Sequence, residues 1–127
     1  MGDINQFFTR KKANEGRKVP LFLPDGSKSD DWLMIRGIDS DAFREADDEA
    51  CRKAFELAAI EDELDRKEAF KSQKNNLVAS LVIGWSFDVE CTKENVIEFL
   101  NEAPQIADQV SQVARKRALF FGEKLNS

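Results

Sequence analysis

Apolar and polar positions along the chain predict a short helix, a β-hairpin and a helical body. Asp3 can cap a first helix with Ile4, Phe7 and Phe8 on one side, and Gly16 follows its polar end. "RKVPLFLP" then reads as an extended apolar run, "DGSKSD" as turn residues and "DWLMIRGI" as a second run, which together make a hairpin signal. In the second run Leu33 and Ile35 share one face, and Trp32, Met34 and Arg36 share the other. Pro20 has no amide to donate, which places the first strand at an edge. A lone two-stranded ribbon is marginal in water, so this one must pack on the helices.

Asp39 or Ser40 can cap the next and longest helical pattern, in which Phe43, Ala46, Ala50, Ala54, Leu57 and Leu64 recur at three- and four-residue steps before a break and Phe70. Its other face sets Asp48, Glu49, Asp62 and Glu63 four residues before Arg52, Lys53, Arg66 and Lys67, the favourable order on a helix. The solvated "EDELDRKE" stands clear of the core or bends. "LVASLVIGWSFD" is the most apolar stretch of the chain. Leu77, Val78, Leu81, Val82 and Trp85 recur at helical spacing, which predicts a buried core helix anchored by Trp85, with Gly84 as its end or as a close-packing point. Thr92 caps a short helix, Pro104 opens the last one, and Ile106, Val110, Val113 and Phe121 share a side of it. The fold class expected is α+β, mostly α-helical, with the small N-terminal hairpin packed on the helical body. Residues 1–127 form a single domain: an N-terminal helix or arm over 1–16, the hairpin over 17–38 and the helical body over 39–127.

Length and charge narrow the function. At 127 residues the chain can bury roughly two-thirds of its unfolded surface around one core. No apolar run approaches the ~20 residues of a membrane span, and the N-terminus has no signal-peptide core, so a cytoplasmic protein that binds no membrane is expected. Cys51 and Cys91 are too few to staple a secreted scaffold and read as reduced, inert thiols. A net charge of −5 argues against nucleic acid as a partner. The charge is uneven. Residues 1–18 carry Arg10, Lys11, Lys12, Arg17 and Lys18 against Asp3 and Glu15, whereas Asp39 to Glu68 holds twelve acidic and five basic residues.

Chemistry is sparse. With no His and no Tyr, catalytic pairs built on histidine are unavailable, and no phosphate-binding loop is present. Asp30 with Asp31, or Asp47 with Asp48 and Glu49, lacks loop-type ligand spacing for a metal ion. No catalytic residue, cofactor or metal site is expected, and the chain is not read as an enzyme.

Two blocks carry a resemblance. "VPLFLPDGSKSDDWLMIRGIDSDAF" runs from an extended segment through a Pro-Asp-Gly turn and a Trp-bearing strand to a helix start. "LVASLVIGWSF" is followed by "ENVIEFLNEAPQIADQVSQVARKRALFF", a Gly-Trp segment and an aromatic-ended final helix. In this order they resemble the phage tail assembly chaperones of long-tailed, non-contractile or related phages, over roughly four-fifths of the chain. The resemblance implies a non-enzymatic factor that binds the tape-measure protein, keeps it soluble and helps tail-tube subunits gather around it. It further implies a host-cytoplasmic protein absent from the mature virion, and an extended form, made by a ribosomal frameshift near Gly122 to Asn126, through which the tail-tube protein is engaged. Self-association is also open. The rival readings are a structural virion component, such as a head-tail connector or minor tail protein, and an adaptor unrelated to phages.

The family offers no motif for the partner surface, so candidates come from the residues alone. Phe120 and Phe121 are adjacent and cannot both enter one core, and Arg115, Lys116 and Arg117 stand beside them. Phe7 and Phe8 stand beside Arg10, Lys11 and Lys12 in the same arrangement. Each is an aromatic anchor with a basic rim, suited to an exposed apolar helix.

Overall fold

In the computed structural model, which describes residues 2–122, the Asp3 carboxylate accepts a hydrogen bond from the Asn5 amide at 2.9 Å and starts a single helical turn, Ile4–Phe7. The chain restarts as α1, Arg10–Glu15, and ends it at Gly16, whose φ of 79° turns the backbone out of the helix. β1 (Arg17–Phe22) and β2 (Lys28–Ile35) form the expected antiparallel hairpin, with Val19 opposite Leu33 and Pro20 opposite Trp32. The side chains of Val19, Leu21, Leu33 and Ile35 alternate into the core.

The apolar stretch from Leu77 to Trp85 is not one helix. Helix α3 (Glu63–Ala79) ends inside it, the chain turns at Ser80 and Leu81, and Val82–Trp85 forms β3. β3 runs antiparallel to β2, with Trp85 opposite Leu33 and Gly84 opposite Met34, so the strand order is β1-β2-β3 and β1 keeps its edge. The reason is pairing. A hairpin alone leaves the second edge of β2 without partners, and β-branched Val82 and Ile83 with Trp85 suit that edge better than a helix end. Gly84 is neither a helix end nor a close-packing point, because no heavy atom lies within 4 Å of where its Cβ would stand.

The long acidic pattern also divides. α2 (Asp41–Ala58) is capped by buried Ser40, which accepts from the Phe43 amide at 3.3 Å. The chain bends over 59–62, and Asp62 caps α3 by accepting from the Asp65 amide at 2.9 Å. Asp62 is therefore spent on the cap, and Arg66 donates to the Ile60 carbonyl at 3.0 Å instead of pairing with it. Glu49–Lys53 and Glu63–Lys67 form at 3.7 and 3.5 Å, while Arg52 pairs with Glu49 and not with Asp48. Phe43, Ala46, Ala50, Ala54 and Leu57 of α2 are half-buried, and no residue of that helix is fully buried.

α4 (Lys93–Glu102) starts at its Thr92 cap, which accepts from the Asn95 amide at 3.2 Å, and α5 (Pro104–Arg115) has Pro104 at its first position. Val78 and Leu81, Val96 and Leu100, and Val110 and Ala114 meet the sheet in one apolar cluster. α5 stops earlier than the apolar series suggests. At Lys116 the backbone leaves the helical region, with φ −89° and ψ 83°, and a separate helical turn, Arg117–Phe121, follows. That change of register turns Leu119 and Phe120 inward and Phe121 outward. The fold is α+β, mostly helical, with a small antiparallel sheet built on the N-terminal hairpin.

Candidate functional site

Residues Arg36 to Ile38 carry the chain from the sheet to α2, and α1 and α5 are both fastened to that crossing. The amides of Arg36, Gly37 and Ile38 donate to the carbonyls of Leu81, Ala13 and Ala114 at 2.8, 3.0 and 3.1 Å. A Cβ on Gly37 would stand 3.0 Å from the Ala13 Cβ and 3.3 Å from the Phe120 ring, so the absence of a side chain is what lets α1 and the last turn close on this point. Arg17 donates through Nη1 to the Leu119 carbonyl. Two bidentate ion pairs complete the clamp: Arg10 with Asp41 at 2.6 and 2.8 Å, and Arg117 with Asp39 at 2.6 and 3.0 Å.

The hydrogen bond from Arg117 is the main reason the Asp39 carboxyl titrates below the usual carboxylate range, and Arg10 does the same for Asp41. A carboxyl depressed in the folded state adds stability above its unfolded value, here the ordinary 3.8, and that stability is lost as pH falls through the folded value. Thermal unfolding should therefore shift to lower temperature below about pH 4. Asp39→Asn should lessen that acid shift. An unchanged acid limb in the variant would show that the pair does not contribute.

The clamp brings the N-terminal arm and the last helical turn to one end of the molecule, with Thr9, Ala13, Arg117 and Phe121 lining one narrow cleft. Four large apolar side chains of the arm and the last turn remain in solvent: Ile4 is 72% exposed, Phe7 76%, Phe8 57% and Phe121 52%. Lys11, Lys12 and Lys116 are exposed on these segments, while Arg10 and Arg117 are engaged in the clamp. Phe120 is only 9% exposed and belongs to the core. Arg115 lies over a different small cleft, with Ile38, Phe43 and Lys74.

A second surface lies beyond β3. The rings of Trp85, Phe87 and Phe99 meet edge to face at centroid distances of 5.2, 5.8 and 5.3 Å. With Val89, Asn95, Glu98 and Glu102 they line an open cleft of about 410 Å³. The Trp85 indole donates to the Val89 carbonyl at 2.7 Å, Asn95 donates to the Glu90 carbonyl at 2.9 Å, and the Ser86 hydroxyl bonds Asp31 and the Trp32 amide at 3.0 and 2.9 Å. The aromatic loop is thus held at both ends. Trp85 is half-buried at this surface and is not the central core anchor that a helix over Leu77 to Trp85 would make it.

A cleft of about 340 Å³ and mixed lining between α2, α3 and α4 receives Arg36, Lys53 and Lys93, and the Arg36 Nε has no hydrogen-bond partner among the described residues. No cluster of three or more His, Cys, Asp or Glu that could hold a metal ion exists among the described residues. Both cysteines are free, and burial pushes the Cys91 thiol up. No helix among the described residues is long and apolar enough to cross a membrane.

A sequence model described as phage tail assembly chaperone matches residues 8–119. The chain belongs to the phage tail assembly chaperone family. No curated protein and no solved structure matches it. The family match spans every helix and strand from α1 to α5. The segment from Glu123 to Ser127, which holds most of the expected frameshift region, lies outside the described residues.

Sequence reasoning on the chaperone's surface singled out the two terminal aromatic pairs but not the junction of α1 with the last turn, and it placed Trp85, one wall of the aromatic cleft, in the core. It also passed over Phe55, which is 85% exposed on α2. The signals were present: Phe55 falls off the stripe of Ala50, Ala54 and Leu57, and Trp85 with Phe87 keeps the two-residue period of a strand.

Proposed function

We propose that this chaperone is a non-enzymatic assembly factor that binds the tape-measure protein, keeps it soluble and promotes assembly of the tail tube around it. It acts in the host-cell cytoplasm and leaves before the virion is complete. A tape-measure protein presents long apolar helix faces until the tube encloses it, and a protein that shields them needs an apolar contact area with a charged rim. The observation that carries this reading is the exposed apolar character of the arm and the last turn, which α1 brings together: Ile4, Phe7 and Phe8 on the arm before Lys11 and Lys12, and Phe121 on the last turn after Lys116. Phe120 supports the last turn from beneath. The tail-tube protein is engaged through an extended form of the chain.

Co-expression with the long tail protein tests this. The unmutated chain should raise that protein's soluble yield. Phe7→Ser with Phe8→Ser and Phe121→Ser should weaken capture about tenfold or more while leaving the chaperone's own melting unchanged. Equal capture by the variant would remove the arm and the last turn from consideration. No gain in solubility from the unmutated chain would sink the tape-measure reading, and recovery of the chain from purified particles would favour a structural virion component.

A further inference from the structure

We infer that the cleft between α2, α3 and α4 is a binding site for a small organic dianion, a phosphate monoester or a dicarboxylate, whose charged head meets Arg36. The charge there runs against the rest of the chain. Arg36, Lys53 and Lys93 line the cleft with Glu49 as the one carboxylate among the described residues, so three cations less one anion leave it at +2 in a protein of net charge −5. Glu49 is already engaged, by Arg52 and by Lys53 at 3.7 Å. Arg36 and Lys93 form no ion pair among the described residues. The Arg36 Nε is also buried without a hydrogen-bond partner among them, and a buried charged N–H calls for an acceptor from outside the chain.

Arginine suits such a head better than lysine would, because its planar fork presents two parallel N–H groups to a carboxylate or phosphate. Its place is fixed. The Arg36 amide donates to the Leu81 carbonyl at 2.8 Å, which ties this residue to the turn between α3 and β3. Of the other polar groups, the Ser80 hydroxyl is spent on the Leu77 carbonyl and the Thr92 hydroxyl on the Asn95 amide. Gln73 and Asn76 remain. They sit three residues apart on one face of α3, and neither side chain hydrogen-bonds to another described residue, so both are free to meet the body of a ligand. Ala42 and Ala46 keep the α2 side open, and Leu77, Val82 and Val96 add apolar wall.

At about 340 Å³ the cleft falls in the range of small-molecule sites and is larger than a lone phosphate ion needs. An organic body should therefore add affinity. The other concavities carry no such match. The aromatic cleft has Glu98 and Glu102 as its charged groups, and the cleft that holds Lys74 and Arg115 measures only about 90 Å³. The cationic cleft shares no residue with the arm, the last turn or the aromatic rings, so a ligand there leaves the surface proposed for the tape-measure protein open.

An amide NMR titration of the full chain at constant ionic strength, with inorganic phosphate, phenyl phosphate and phthalate in turn, tests the inference. Phenyl phosphate or phthalate should shift the amides of Arg36, Gln73, Asn76 and Lys93 saturably, with a dissociation constant of about 0.1 to 10 mM, and inorganic phosphate should bind at least about tenfold more weakly. The tighter of the two organic ligands names the head group, and equal binding by both means that the site reads charge alone. Lys93→Gln, a change to an exposed side chain, should weaken binding about threefold, and Arg36→Gln about tenfold or more. Arg36→Lys should fall between Arg36→Gln and the unmutated chain, because it keeps the charge and loses the fork. Phenyl phosphate should also raise the melting temperature of the unmutated chain and leave that of Arg36→Gln where it is. No saturable shift from any of the three ligands overturns the inference. So do shifts centred on Lys11 and Lys12 instead of the cleft, or binding that survives both Arg36→Gln and Lys93→Gln. Inorganic phosphate binding as tightly as phenyl phosphate overturns it as well, and leaves an adventitious ion only.

Discussion

Phe120→Ala is expected to lower the free energy of unfolding by about 3 to 5 kcal/mol, whereas Phe121→Ala, one residue along, should lower it by about 1 kcal/mol or less. The contrast follows from the register break at Lys116. Phe120 is nearly buried, lies 3.3 Å from where a Gly37 Cβ would stand, and belongs to the same apolar cluster as Leu119 and Ala114. Truncating it removes a large apolar surface and leaves a void under α1, where Ala13 and Gly37 cannot collapse far because their backbones are hydrogen-bonded at 3.0 Å. A domain of this size has on the order of 5 to 15 kcal/mol of net stability, so such a loss is a large share of it. Urea denaturation followed by circular dichroism separates the two variants. Equal midpoints for both would mean that the last turn is not docked as described. The pair also guards the partner assay, because a double change of Phe120 and Phe121 would confuse lost folding with lost binding.

What could be read from the sequence was mostly local chemistry. Asp3, Ser40 and Thr92 each cap the element that follows them, Gly16 closes α1 and Pro104 opens α5, because a cap or breaker acts within a few residues of itself. The hairpin was equally legible, since its alternation and turn residues are contiguous. β3 was not. Leu77, Val78, Leu81, Val82 and Trp85 satisfy a helical period, and what converts the second half of that run into a strand is the open edge of β2, some fifty residues earlier in the chain. The clamp was hidden for the same reason: Arg10 meets Asp41 across 31 positions and Arg17 meets the Leu119 carbonyl across 102. The aromatic pairs at the two ends were visible separately. Only the crossing at Gly37 puts them at one end of the molecule, and only the register break at Lys116 decides which phenylalanine of the second pair faces solvent.

Gly16→Ala should destabilise the chain by about 3 kcal/mol, even though it adds one methyl group at a half-exposed position. Two costs combine there. With φ 79° and ψ −179°, Gly16 occupies a backbone region open almost only to glycine, and holding another residue there costs roughly 1 to 3 kcal/mol. The new Cβ would also stand 2.7 Å from the Ile83 Cδ1 and 2.9 Å from the Ile35 carbonyl oxygen. Ile83 can rotate away. The Ile35 carbonyl cannot, because Ile35 is paired with Arg17 on β1 and with Val82 on β3, so relief must come from the first residues of the hairpin. Gly84→Ala makes the control. No heavy atom lies within 4 Å of its Cβ position and its φ is not positive, so removing a glycine from a strand there should be neutral or stabilise by up to about 1 kcal/mol. Denaturant midpoints with unchanged slopes would measure both. If Gly16→Ala lost less than about 1 kcal/mol, the junction between α1 and the sheet would be looser than this geometry requires, and the arm would not be held rigidly enough at its base to present Phe7 and Phe8 as one surface.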